Sequence, residues 1–135
     1  MTPEAQATLT ELVTLYEDEE ILYQELLRLS TTQVALYQSG KVRESGELYP
    51  AKQEILLKLQ QLERTKPGGD DVWWSYTFTE EERAPLDLVL DRLLPLIEDL
   101  MEQETIVDSL ILELSAREGL SPSLPSLNSQ EVATP

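Results

Sequence analysis

The sequence predicts an all-α fold, either a long antiparallel helical hairpin or a three-helix bundle with coiled-coil-like packing. Three observations predict it. Apolar residues recur every three or four positions through three long stretches, helix-breaking residues gather in a few short connections, and strand-type composition is confined to VWWSYTF. At 135 residues and 41% hydrophobic content the chain suits one domain with a modest core. The expected division is a helical bundle over residues 1–118 and a disordered tail over 119–135, where GLSPSLPSLNSQEVATP is rich in Ser and Pro and has no periodic face.

The first helix is expected from about Pro3 to Gln38. Leu9, Leu12, Tyr16, Glu19, Tyr23 and Leu26 advance by alternating threes and fours, and Leu15, Leu22, Leu29 and Leu36 thicken the stripe. Thr2 is a suitable N-cap, Pro3 a suitable first helical residue, and Ser39 and Gly40 a suitable stop. The second pattern is AKQEILLKLQQLER, with Ile55, Leu59 and Leu62 on one face. Pro50 lacks the amide that would bond to Gly46, so the chain either kinks between Gly46 and Pro50 or ends a short helix there and starts another at Pro50. Pro67, Gly68 and Gly69 end this pattern. Thr79 and Glu82 then form a T-x-x-E capping box, with Glu80 and Glu81 at the positive end of the dipole. Leu86, Leu90, Leu93, Ile97, Leu100, Val107, Ile111 and Leu114 carry the third stripe to about Ala116, with a bend near Asp91 to Pro95 or a restart at Pro85 expected.

Composition excludes several functions. Asp and Glu outnumber Lys and Arg by 26 to 10, a net charge of -16, which repels phosphate backbones and anionic lipids. Neither nucleic acid nor membrane is an expected partner. No run reaches the roughly 20 apolar residues of a membrane span, and MTPEAQATLTE lacks the features of a signal peptide, so a cytoplasmic location is expected. The chain has no Cys and no His, which removes thiol chemistry, mixed nitrogen or sulfur metal sites and the common nucleophile-base pairs. No catalytic, cofactor-binding or metal-ligating residue is expected, and no enzymatic activity. KPGGDD lacks the GK[ST] sequence of a phosphate loop. The consecutive acids Glu17, Asp18, Glu19 and Glu20 point around a helix axis and read as a solvated face.

Polar residues interrupt the apolar stripes at Glu19 and Gln33 in the first helix and at Glu104 in the third. Buried, such residues fix register at a cost in stability; at a helix edge they reach water, which is the expected outcome here. Half of the eight aromatic residues (Trp73, Trp74, Tyr76 and Phe78) fall in DDVWWSYTFTEEE. Packing of the connection against the helix ends is the expected role, with one of Trp73 and Trp74 buried and the other exposed as a contact edge.

The segment from Leu12 to Arg64 resembles the FlgN-like flagellar export chaperones. The resemblance rests on an early Glu (Glu19) in a leucine-rich helix, an Ala35-Leu36 pair before a turn at Gly40, and Leu48, Lys52, Leu56, Leu57, Leu59, Leu62 and Glu63 in a second helix. It covers about the first half of the chain, and the sequence departs from the family pattern at Pro50, Pro85, Pro95 and WWSYTF. The resemblance implies a helical binding module that shields an amphipathic helix of hook-associated client proteins before type III export, with the last helix contributing strongly. The candidate partner-binding residues are then Leu100, Met101, Val107, Leu110, Ile111 and Leu114, with Trp73 and Trp74 at the edge. The alternative is a self-associating structural bundle, a homo-oligomer without a client.

Overall fold

A computed structural model of the chain describes residues 2–66 and 78–118. Trp73, Trp74, Tyr76 and the tail after residue 118 lie outside the described residues, and with them the expectations about the two tryptophans and the tail. Four helices are described: α1 (Pro3–Gln38), α2 (Val42–Gly46), α3 (Tyr49–Arg64) and α4 (Glu80–Glu118). There is no strand among the described residues. The protein is an all-α helical bundle.

Local chemistry explains the helix ends. Thr2 Oγ1 accepts from the Ala5 amide at 3.1 Å, and Pro3 occupies the first turn, where a missing amide leaves no bond unmade. α1 ends in a Schellman arrangement: the Gly40 amide donates to the Tyr37 carbonyl at 3.1 Å and the Lys41 amide to the Leu36 carbonyl at 2.8 Å. Gly40 sits at φ 78°, a left-handed conformation that costs glycine little. Of the two outcomes open at Pro50, the chain takes the short helix followed by a new one, which begins one residue earlier than expected, at Tyr49.

The capping box before α4 is formed in both directions. The Glu82 amide donates to Thr79 Oγ1 at 3.1 Å, and the Thr79 amide donates to Glu82 Oε1 at 2.8 Å. From there α4 runs unbroken for 39 residues through Pro85 and Pro95, with no restart at Pro85. Each proline deletes one backbone bond, to the carbonyls of Glu81 and Asp91 respectively. Packing along the rest of the helix offsets those losses.

The contacts fix the topology. Leu9 and Leu12 near the start of α1 pack on Leu86 and Val89 near the start of α4, while Val34 and Tyr37 near its end pack on Val107 and Ile111. α1 and α4 are therefore parallel neighbours over their whole length. α3 runs antiparallel to both, since Lys52 at its start meets Gln33 and Lys66 just past its end lies over the Tyr16 ring. The middle of the core joins all three helices through Leu26, Leu29, Ile55, Leu59 and Leu100. α3 is 16 residues against 36 for α1, so it covers about 24 Å of a partner about 54 Å long.

Candidate functional site

Two polar layers divide the apolar clusters. In the upper layer, Lys52 is fully buried and Glu104 is 2% exposed. Lys52 Nζ donates to Glu104 Oε1 at 2.6 Å and to Gln33 Oε1 at 2.8 Å. Ser30 Oγ donates to the same Glu104 oxygen. Gln33 in turn donates through Nε2 to the Ser45 carbonyl at 3.3 Å, and Ser45 Oγ donates back to the Gln33 carbonyl at 3.1 Å. α1, α2, α3 and α4 are thus tied at one level. Burial pulls the Lys52 ammonium below the usual lysine range, opposed by its bond to Glu104 and by the charges of Glu104 and Asp108.

The lower layer is built around Glu19, 3% exposed on α1. Burial pushes its carboxyl up to about 8; a hydrogen bond to the Glu63 side chain and that residue's charge add to the rise, and Lys66 opposes it. At neutral pH Glu19 therefore holds its proton and can donate it. Burial and the same two carboxyl groups also raise the Tyr23 phenol.

These layers correct two expectations. Glu19, Gln33 and Glu104 do not reach water at a helix edge: α1 is flanked on one side by α3 and on the other by α4, which closes both edges of its stripe. The run from Glu17 to Glu20 is not uniformly solvated either. Glu17 and Asp18 are exposed, Glu19 is buried, and Glu20 accepts from Arg92 Nε at 3.0 Å.

The candidate partner-binding residues of α4 fall into two groups. Leu100, Val107 and Ile111 are buried against α1 and α3, in contact within the chain. Leu110 and Leu114 are half-buried and, with Tyr37 and Val42, line an open hollow of about 240 Å³ where α1 turns into α2. Met101 is 65% exposed.

Met101 has neighbours that the sequence reading did not single out. Leu94 and Leu112 are 58% and 60% exposed. At 3.6 residues per turn, steps of seven and eleven residues return to within about 20° of the same line, so Leu94, Met101 and Leu112 form an outer row roughly 27 Å long. The half-buried Leu90 and Ile97 border it on the core side. Asp87, Asp91, Glu98 and Glu102, all exposed, follow its other border at angles of about 20° to 80°. The signal was available as a second stripe on the α4 wheel, behind the stronger inner one. Lys52 was equally legible, three and seven residues ahead of Ile55 and Leu59 on the buried face of α3.

Among the described residues, no group of three or more acidic side chains is placed to hold a metal ion, and no helix is long and apolar enough to cross a membrane. No protein-family model, curated protein or solved structure matches the chain.

Proposed function

We propose that the chain is a non-enzymatic, cytoplasmic helical module that binds an amphipathic helix of a protein client, in the manner of the FlgN-like export chaperones that its first half resembles. The observation that carries the reading is the outer row of α4. A long helix normally turns one apolar stripe to its core and polar residues to water. α4 has its inner stripe buried and still presents Leu94, Met101 and Leu112 to solvent. A client helix laid along this row covers apolar surface that the chain itself leaves open, with a side chain of α4 met about every two to three turns. The hollow at Leu110 and Leu114 lies about 160° around α4 from this row and is a separate surface.

Self-association through the same row is the competing reading. Pairing two copies would bring two rims of carboxylates together on chains of charge -16, which opposes a stable dimer at neutral pH. The test is a Leu94→Asp, Met101→Asp double variant titrated with peptides from the C-terminal helices of hook-associated proteins. Loss of binding with unchanged helicity and melting midpoint is expected. Retained binding, or a wild-type chain that sediments as a dimer closed through this row, would overturn the proposal.

A further inference from the structure

We infer that the helix seated on the outer row is cationic, with Lys or Arg flanking its apolar stripe and pairing with Asp87, Asp91, Glu98 and Glu102. This rests on the reading of the row as a docking face and adds the chemical class of the occupant. The charge pattern of α4 carries it. Between Asp87 and Glu113 the only basic residue is Arg92, and it is turned about 160° away from Leu94, toward α1, where it pairs with Glu20. The four rim acids are exposed, and no cation of the chain is bonded to any of them among the described ion pairs.

Most of the chain's basic residues lie between residues 41 and 66, on or beside α2 and α3. The asymmetry matters because the α4 rim is a continuous line. Its four carboxylates span 16 residues from Asp87 to Glu102, about 22 Å, beside the Leu94 and Met101 half of the row. An apolar line with a single-sign border reads register as well as composition. An acidic helix would meet like charge along its length, whereas a basic one gains complementary pairs and electrostatic steering toward the row. A second copy of this chain is disfavoured by the same border.

The test uses the full chain and three synthetic helices of about 20 residues with one identical Leu stripe and flanks of Lys, Gln or Glu. Titration calorimetry at 50 and 500 mM salt should give the order Lys, Gln, Glu, with the Lys peptide on the order of tenfold tighter than Gln at low salt and most of that preference lost at high salt. The Asp91→Asn, Glu98→Gln, Glu102→Gln variant should bind the Lys and Gln peptides alike. A scrambled Lys peptide without the stripe, and the Leu94→Asp, Met101→Asp variant, should show no saturable binding. Equal affinity for all three flanks would overturn the cationic assignment while leaving the row as a docking face. If no peptide binds, both readings fail. Tight binding of the scrambled peptide would reduce the effect to nonspecific attraction by an acidic chain and overturn the assignment.

Discussion

The two buried polar layers differ in how their charge is balanced. In the upper one, a positive and a negative group lie 2.6 Å apart, a neutral amide and a hydroxyl bond to them, and the charge of Asp108 also favours the ammonium. In the lower one, two carboxyl groups face each other and only Lys66, at the border, opposes them. The upper layer holds an ion pair; the lower one holds a proton. A polar group in a helical core can thus be kept there by an opposite charge or by neutralisation, and the two solutions respond to different perturbations.

The largest predicted effect breaks the upper layer. Lys52→Met leaves Glu104 buried without its cation and should cost about 3 to 5 kcal/mol, read from chemical denaturation at pH 7. The double variant Lys52→Met, Glu104→Leu should recover most of that loss, because apolar groups of similar volume replace the pair at little net cost. A double variant as unstable as the single would mean that the network around Gln33 and Ser45 depends on the charges themselves.

The second prediction concerns pH and the lower layer. Glu19 has a folded value near 8 against 4.5 for the free group, so the folded state binds the extra proton between those limits. Stability from this site is fully present below 4.5 and is lost as pH rises through 8. The stability of the wild type relative to Glu19→Gln should therefore fall by on the order of 2 kcal/mol between pH 5 and pH 8, within the single-proton limit of about 1.4 kcal/mol per pH unit. A flat difference would mean that Glu19 is ionised in the folded protein. Glu82 gives the opposite sign: the Thr79 amide holds its carboxyl below the usual range, and its contribution is lost as pH falls through that lowered value.

The smallest effect is local. Thr79→Ala removes one half of the capping box and should cost about 1 kcal/mol, measured by thermal melting. It should leave the pH slope of the lower layer unchanged, since the capping box joins Thr79 to Glu82 and not to Glu19.

What was legible in the sequence follows the range of the interactions. The α1 limits, the break before Pro50 and the box at Thr79 and Glu82 depend on residues within a few positions of one another, and the structure has them nearly where the pattern puts them. The polar layers depend on what lies across the bundle. Glu19 and Glu104 were visible as interruptions, but their burial required knowing that α3 and α4 close both sides of α1. Lys52 was passed over because lysine at a helix face is ordinarily solvated, although Ile55 and Leu59 mark its face as the inner one. Periodicity also gives no means of telling a stripe that packs within the chain from one left for a partner. For that reason Leu100, Val107 and Ile111 stood beside Met101 as equals in the sequence, and only the arrangement of helices separates them.

The most direct test of the outer row as a docking face uses the chain's two methionines, Met1 and Met101. With methyl-labelled methionine, Met101 reports from the centre of the row, and a Met101→Leu variant assigns its resonance. The free protein should show a Met101 methyl strongly relaxed by a soluble paramagnetic agent at every protein concentration. A Lys-flanked amphipathic helix should shift that resonance and protect it. A Met101 methyl already protected in the free protein, increasingly so with concentration, or one that stays exposed in the complex, would contradict the account.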